Sequence, residues 1–291
     1  MHIFVKLKFK DHHSMDNNLV ENSKAIDIKK VFFSKNPKLA KWIPGFIFRY
    51  LRKITHENLL NEIVRDHGHL QGYDFTVALL KMFNIGIKVE GKENIPQNGR
   101  FIFASNHPLG GLDGHILMFI VGERFSSYKF LVNDILMKLK NMREVFIPVN
   151  KHGRQGVELA KQLDEAFQSD TQILTFPAGI VSRRIKGKII DLDWQKSFIN
   201  KSKQYKRDII PVHMSGRNSE FFYRLHNFRR FFGIKANIEM LYLINESYKC
   251  RDKTFTLTFG KPISYKSFDT SKRPAEWAEW VKEKVYNLSN I

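Results

Sequence analysis

The stretch that decides the fold reads FIFASNHPLGGLDGHILMFIV and occupies residues 101–121. Residues 101–104 form an apolar run that predicts a buried strand, and residues 116–121 form a second run that predicts a helix. His107 follows the strand and Asp113 precedes the helix, while two glycines between them let the backbone turn sharply. The pattern therefore predicts a base and an acid at a strand–loop–helix junction.

The chemistry expected at this junction is that of a histidine base held by a carboxylate. A neutral imidazole accepts a proton when its other ring nitrogen is held in place. Asp113 lies six residues after His107 and reaches it if the loop folds back at Gly110 and Gly111. No Gly-x-Ser-x-Gly nucleophile motif is present, so the nucleophile would be a substrate hydroxyl or amine. The local residues leave open a second interpretation, in which His107 is a turn residue and Asp113 only caps a helix.

Apolar runs and helical periodicities alternate along the remainder of the chain. Strands are predicted at residues 85–90, 130–132, 144–150, 172–176, 208–213, 238–243 and 254–259. Helices are predicted within 56–84, at 134–141, at 157–167 and from Pro274 onward. This alternation predicts an α/β fold with a mostly parallel sheet covered by helices. We expect two parts, a basic amphipathic helical region over residues 1–84 and a sheet domain over residues 85–291.

The charge of the chain is strongly basic. Lys and Arg number 48 against 29 acidic residues, which gives a net charge of +19. Such a field attracts polyanions, namely nucleic acid, an anionic membrane surface or phosphorylated substrates. The single cysteine, Cys250, excludes an internal disulfide and a zinc site built from several cysteines. Residues 1–10 lack a signal-peptide pattern and no apolar run approaches the roughly 18 residues of a spanning helix, so we expect any membrane contact to be peripheral.

Two stretches combine basic and aromatic side chains. Residues 29–53 carry eight Lys and Arg residues and no acidic residue. From Trp42 to Ile54 the apolar residues recur at helical spacing, which predicts one apolar and one cationic face. Residues 217–235 repeat the combination with Phe and Arg. Two interpretations stay open, an interfacial helix on an anionic membrane and a helix packed on its own domain.

Several motifs resemble those of the glycerolipid acyltransferase family, of the lysophosphatidic acid acyltransferase type. Asn106-His107 followed by Asp113 at a helix start resembles the first motif of that family. Three further motifs occur in the family's order: Gly91-Lys92-Glu93-Asn94-Ile95-Pro96, then Phe176-Pro177-Ala178-Gly179 with Ser182, then Ile209-Ile210-Pro211-Val212. The resemblance covers about residues 85–265. It implies the family's acyltransferase fold for the predicted sheet domain.

The chain departs from the family pattern in spacing and in sequence, and one of the departures is Asn150 where the second motif of the family usually ends in Arg. Five residues separate His107 from Asp113 where the family usually has four, Ala178 replaces a Glu, and Val181 replaces an Arg. In the family the later motif helps to hold a phosphorylated acceptor. The combination is similar to a bacterial branch described as hemolysin-like, which includes enzymes that O-acylate N-acyl amino acids to make ornithine or glycine lipids. The resemblance therefore leaves two acceptors open, a lysophospholipid and an aminolipid precursor.

The activity that the resemblance implies is acyl transfer from a thioester, acyl-CoA or acyl carrier protein, to an acceptor hydroxyl at the membrane surface. His107 would remove the hydroxyl proton, and Asp113 would fix the imidazole tautomer. The residues expected to bind substrate are Lys151, Arg154, Gly179, Ser182, Arg183 and Arg184. No metal or other cofactor is expected. The protein is expected to be cytoplasmic and peripheral on the inner face of the membrane.

Two other functions compete with acyl transfer. A metal-dependent hydrolase would use His107, Asp113, His115 and His213, although no His-x-His pair follows a predicted strand. A nucleic-acid-binding protein would account for the charge of +19, but no recognition motif accompanies that charge. We therefore expect no nucleic-acid partner.

Overall fold

Strands and helices alternate along the chain in the computed structural model, which describes residues 3–5, 26–35, 37–149 and 154–290. The strands are β1 (Ile3–Val5), β2 (Gly86–Glu90), β3 (Phe101–Ser105), β4 (Tyr128–Val132), β5 (Phe146–Pro148), β6 (Gln172–Thr175), β7 (Arg183–Ile185), β8 (Lys188–Ile190), β9 (Asp208–Met214) and β10 (Thr254–Phe259). The helices are α1 (Ile28–Lys35), α2 (Pro37–Trp42), α3 (Gly45–Ile54), α4 (Glu57–His67), α5 (Gly72–Met82), α6 (Gly111–Arg124), α7 (Arg154–Gln168), α8 (Ser197–Tyr205), α9 (Glu220–Phe231), α10 (Leu243–Tyr248) and α11 (Pro274–Asn287).

One eight-stranded sheet carries the fold, in the order β1-β2-β10-β9-β3-β6-β4-β5. The neighbours from β9 to β5 pair in parallel, as do β2 and β10. The β10–β9 and β1–β2 pairs are antiparallel, while β7 and β8 form a separate hairpin. The predicted mostly parallel sheet covered by helices is therefore confirmed.

The central strand β3 is buried along its whole length, which explains its uninterrupted apolar sequence. Alternate side chains of β3 enter two different hydrophobic cores. Phe101 and Phe103 pack in the core that contains α5 and α6. Ile102 and Ala104 pack in the core that contains α7, α8 and α11. Both faces of the sheet are thus covered by helices.

The carboxyl ends of β3, β6 and β9 lie side by side at one edge of the sheet, because these neighbours run parallel. The chain that leaves β3 contains His107, and the chain that leaves β6 contains Gly179 and Ser182. Crevices at the carboxyl ends of parallel strands are the usual ligand sites of such sheets. The topology therefore brings the resembling motifs to one place.

Residues 238–243, predicted as a strand, are helical instead. A 3-10 helix at Ile238–Tyr242 leads directly into α10. Its wholly buried residue is Glu239, which pairs with Arg183 and Arg229, whereas Met240 and Leu241 face solvent. The buried residue of this segment is therefore the one with long-range ion pairs, and the apolar residues that predicted a strand are exposed.

The other differences are smaller. The helix predicted at 134–141 consists of two 3-10 segments, and the strand predicted at 144–150 is shortened to β5. The basic region between β6 and β9 folds into the β7–β8 hairpin and α8, for which no element was predicted.

The basic stretch at residues 29–53 forms three short helices. Pro44 is the N-cap of α3, which explains why α3 starts at Gly45. The apolar residues predicted to share one face divide between two: Phe48, Leu51 and Ile54 are buried, whereas Trp42, Phe46 and Tyr50 are exposed. Residues 1 to about 28 are polar and mixed in sequence, which predicts a poorly ordered or peripheral start, and most of them (1–2 and 6–25) lie outside the described residues. Within the described ranges, no helix has the length and hydropathy that crossing a bilayer requires.

Candidate active site

The structure brings His107 and Asp113 into direct contact. Asp113 lies in the first turn of α6 and is completely buried, and its Oδ2 is 2.9 Å from His107 Nδ1. The same oxygen accepts a hydrogen bond from the Leu109 amide at 2.9 Å, and Oδ1 accepts one from the Gly114 amide at 2.9 Å. Gly110, with φ of 87°, makes the fold-back possible because this conformation favours glycine. The loop therefore accommodates five residues between the acid and the base.

The contact with Asp113 decides which nitrogen of His107 is available for chemistry. A carboxylate only accepts, so Nδ1 carries the proton and Nε2 is left as an acceptor. No residue that the structure describes hydrogen-bonds to Nε2, and the side chain keeps 15% of its surface exposed. Phe176 stacks on the imidazole, with ring centroids 4.0 Å apart. The ring is thus fixed in orientation with its basic nitrogen open to a substrate.

Asn106 fixes the backbone next to the histidine. Its side-chain amide donates to Met214 O at 2.9 Å, and its carbonyl accepts from the Met214 amide at 2.7 Å. On the other side of His107, Asn218 Nδ2 donates to Pro108 O at 3.1 Å. Both residues flanking His107 are therefore hydrogen-bonded to the chain at the end of β9 and just after it.

The turn after β6 docks on the same loop. Gly179 has φ of 69°, and the chain then brings Ser182 back to donate its amide to His107 O at 2.7 Å. Ser182 is buried, and its hydroxyl donates to Asp191 inside the site. Gly179 and Ser182, both predicted as substrate-binding, thus lie on the turn that docks on the His107 loop.

Asp191 is a residue of the site that the sequence prediction missed. Its Oδ1 accepts from Ser182 Oγ at 2.6 Å and from the His107 amide at 3.2 Å, and its Oδ2 accepts from Trp194 Nε1 at 2.9 Å. Burial raises the pKa of Asp191 above its ordinary value, against these hydrogen bonds. The available sequence signal is a pair of acidic residues, Asp191 and Asp193, just before Trp194 inside an otherwise basic region.

Two of the four predicted basic substrate contacts, Arg183 and Arg184, are bound within the chain. Arg183 is 2% exposed, and its guanidinium is 3.3 Å from Glu239. Arg184 forms two hydrogen bonds with Glu220, each of 2.6 Å. Arg154 is the first residue of α7, and Lys151 lies outside the described residues. The two arginines after the turn are therefore each bound to a carboxylate of this chain.

A pocket of about 160 Å³ opens beside the His107 loop. Its walls come from the ends of β3 and β9, the β7–β8 region and α11. They are lined by Asn106, Pro108, Ser182, Ile189, His213, Met214, Ser215, Gly216, Arg217 and Tyr286. This is a small, partly polar space next to the candidate base.

The histidines proposed for a metal site do not meet. His115 lies against Thr76, with Nδ1 3.1 Å from the hydroxyl, and burial lowers its pKa to about 4. His213 borders the pocket instead, and burial lowers its pKa as well. Among the residues described here, no group of three His, Cys, Asp or Glu side chains is arranged to hold a metal ion.

Comparison with known proteins bears on this site. A family model described as Acyltransferase matches residues 30–291. The lyso-glycine lipid O-acyltransferase of Bacteroides thetaiotaomicron is 48% identical over 264 residues, which cover 90% of this chain and 97% of that protein. The protein of the same name from Phocaeicola vulgatus is 46% identical over 264 residues, covering 90% and 95%. A solved structure, the 1-acyl-sn-glycerophosphate acyltransferase of Thermotoga maritima, aligns with a TM-score of 0.49 and 18% identity over 85% of this chain and 88% of its own.

Proposed function

The chain belongs to the acyltransferase family, and we propose that it transfers a fatty acyl group from a thioester to the hydroxyl of an aminolipid precursor at a membrane surface. The observation that carries the proposal is the 2.9 Å contact between His107 Nδ1 and buried Asp113, which makes Nε2 the acceptor nitrogen of the ring. A glycerolipid acceptor, the other possibility left open by the motifs, is the alternative tested below.

The proposed reaction uses the acceptor as its own nucleophile. His107 Nε2 takes the proton of the acceptor hydroxyl as the oxygen attacks the thioester carbonyl. The imidazolium that forms is stabilised by Asp113, whose carboxylate also accepts the amides of Leu109 and Gly114. Collapse of the tetrahedral intermediate breaks the carbon–sulfur bond, and the thiolate takes up the proton from His107. The products are an ester and a free thiol.

The acceptor is proposed from the two similar enzymes, which are named lyso-glycine lipid O-acyltransferases. Glycine itself has an amino group and a carboxyl group but no hydroxyl. An O-acylation of such a lipid therefore needs a hydroxyl on a fatty chain that is already attached to the glycine nitrogen. The acceptor we propose is accordingly an N-acyl glycine with a hydroxylated chain and a free carboxylate.

The acceptor is tested with the purified protein and two matched substrates. We expect acyl transfer to N-(3-hydroxypalmitoyl)glycine, and at least about 10-fold less to lysophosphatidic acid, because the arginines after the Phe-Pro-x-Gly turn are bound to carboxylates of the chain. Product formation is followed by mass spectrometry with acyl-CoA and with acyl carrier protein as donors. Preference for lysophosphatidic acid would contradict the aminolipid assignment, while transfer to neither acceptor would contradict the proposed function.

A membrane location is proposed from a group of exposed aromatic side chains, termed the aromatic surface. Its members are Trp42, Phe46 and Tyr50 near α3, and Phe221, Phe228, Phe231 and Phe232 near α9. The two groups are joined through Tyr242, whose hydroxyl is 2.7 Å from that of Tyr50 and whose ring is 4.9 Å from that of Phe221. The chain enters α9 from the carboxyl end of β9, which is the sheet edge that carries the His107 loop.

The positive charge around the aromatic surface supports an anionic bilayer as its binding partner. Exposed cations accompany the aromatic residues, namely Lys41, Arg49, Lys53, Arg230 and Lys235, and the chain as a whole carries +19. Aromatic rings at the acyl boundary with cations at the headgroups are typical of peripheral membrane binding. Since acyl-CoA and acyl carrier protein are cytoplasmic, we propose the inner face of the cytoplasmic membrane as the location.

Replacing Trp42, Phe231 and Phe232 together with serine is expected to lower binding to anionic vesicles by roughly 10-fold or more, because large exposed rings no longer enter the acyl boundary. Trp42 and Phe231 are 86% and 84% exposed, so the fold should tolerate the change. Sedimentation with phosphatidylglycerol vesicles measures the effect. Val64→Ser on α4, outside the aromatic surface, is the control. Unchanged sedimentation of the triple variant would contradict the membrane proposal.

A further inference from the structure

The pocket beside the His107 loop has a position that suits an acceptor headgroup. Asn106 and Pro108 line it, and these are the chain neighbours of His107. The wall of the pocket therefore adjoins the His107 backbone on both sides, while the imidazole itself lies outside the lining. Its volume of about 160 Å³ is enough for a small polar group but not for a fatty chain.

Arg217 is the positively charged residue among those that line this pocket. Its ion pair within the chain is longer than those of Arg183 and Arg184. Its Nη1 is 3.5 Å from Glu220 Oε1, and 63% of its side chain is exposed. Both oxygens of Glu220 are already bound by Arg184 at 2.6 Å. The guanidinium of Arg217 is therefore available to a ligand.

The remaining polar groups of the pocket are neutral or hydrogen-bond donors. Burial lowers the pKa of His213, so its ring is uncharged at neutral pH. The Tyr286 hydroxyl accepts the Asp191 amide at 2.7 Å, and Ser215 Oγ accepts the Thr256 amide at 2.7 Å. The Ser215 hydroxyl still has its own hydrogen to donate, whereas the Tyr286 hydroxyl also hydrogen-bonds with the side chains of Ser182 and Asp191. One guanidinium together with neutral donors matches a single planar carboxylate next to an amide better than a doubly charged phosphate.

We infer that this pocket is the headgroup site of the acceptor, in which Arg217 forms a bidentate pair with the carboxylate of an N-acyl glycine. Seated there, the headgroup places its fatty chain along the His107 loop, with the chain hydroxyl a few bonds away from the carboxylate and close to Nε2. Arg217 then determines specificity for an acidic amino-acid headgroup. This inference rests on the proposed function, since it names the group that holds the proposed acceptor.

The test compares N-(3-hydroxypalmitoyl)glycine with its glycinamide, which has the same hydroxyl but no carboxylate. For the acid, Arg217→Gln is expected to raise KM roughly 10- to 100-fold with a smaller change in kcat, because a charge-assisted bidentate pair is lost. For the amide, the variant and the wild-type protein should have similar KM values. Arg217→Lys should be intermediate for the acid, since a point charge replaces the planar fork.

Arg65→Gln is the matched control, because Arg65 is similarly exposed, also lies next to a carboxylate, and is on α4 away from the pocket. Equal effects of Arg217→Gln on acid and amide, or no effect on either, would overturn the headgroup assignment while leaving the proposed function intact. Wild-type protein that acylates lysophosphatidic acid but neither glycine compound would overturn both.

Discussion

Replacing His107 with glutamine is expected to lower acyl transfer by about 10²–10⁴-fold, the range that a positioned general base contributes. Glutamine fills a similar space and can donate to Asp113, but it has no nitrogen that accepts a proton. The imidazole makes its side-chain contacts at the rim of the site, namely the 2.9 Å contact with Asp113 and the stacking on Phe176. The fold should therefore survive. Initial rates with purified protein, together with circular dichroism, measure the effect.

Asp113→Asn extends this prediction to the acid. An asparagine that donates to Nδ1 would move the ring proton to Nε2, which removes the acceptor that the substrate hydroxyl requires. We expect a loss of similar order, without additivity in the double variant, because both residues act as one unit. His69→Gln, an exposed histidine on the loop after α4, is the control for purification and assay. More than one-tenth of wild-type activity in His107→Gln would contradict the proposed mechanism.

The sequence predicts the central site well because its determinants are local. The apolar run of β3, the pair Gly110-Gly111 and the acid at the start of α6 all lie within one short stretch. The parallel sheet is likewise predicted, since each strand and its following helix have their own pattern. Local pattern and tertiary structure agree here, and Gly110 accommodates the longer His–Asp spacing.

The sequence does not predict contacts between charged side chains that are far apart along the chain. Asp191 reaches His107 and Ser182 only after the β7–β8 hairpin folds back on the loop. Arg183 and Arg184 have the pattern of headgroup ligands, yet Glu239 and Glu220, which neutralise them, follow more than 30 residues later. No periodicity predicts such pairs. The ion pairs of Glu239 likewise lie in the segment 238–243, which is helical and not the predicted strand.

The second large effect concerns the buried ionic cluster, defined by Glu239 with Arg183, Arg229 and His226. Glu239 is completely buried, and its carboxylate is 3.3 Å from Arg183, 2.9 Å from Arg229 and 3.0 Å from His226. Glu239→Gln should lower the free energy of unfolding by about 3–5 kcal/mol, because two buried guanidinium groups then lose their counter-charge. Urea denaturation at neutral pH measures the difference.

Glu220→Gln is the matched control, since it also removes a carboxylate from an arginine of the β7–β8 hairpin. The Glu220–Arg184 pair is half exposed, and exposed pairs contribute little to stability. We therefore expect no comparable loss in this variant. Equal stability of the two variants would contradict the buried role of Glu239.

The pH dependence of stability provides a second measurement on the same cluster. Burial raises the pKa of Glu239, but the hydrogen bond with His226 and the charges of Arg183 and Arg229 outweigh it, so that the net pKa is lowered. A carboxylate whose pKa is lower in the folded state stabilises the fold above its unfolded pKa, about 4.3, and loses that contribution as pH falls through the folded value. The part of the difference between wild type and Glu239→Gln that comes from the titration of this carboxylate should accordingly be constant from neutral pH down to about 5 and shrink below about 4.3.

These measurements also decide between two roles for Arg183. If Arg183 binds the headgroup, its replacement should raise KM for the acceptor and leave stability unchanged. If Arg183 belongs to the ionic cluster, its replacement should lower stability and leave KM unchanged. Arg183 is 2% exposed and is held by Glu239, so we expect Arg183→Met to destabilise the fold as Glu239→Gln does. In the double variant the losses should fall short of their sum, because Arg183→Met removes one of the two guanidinium groups that Glu239→Gln leaves without a counter-charge. Additive losses would instead mean that Arg183 and Glu239 contribute to stability separately.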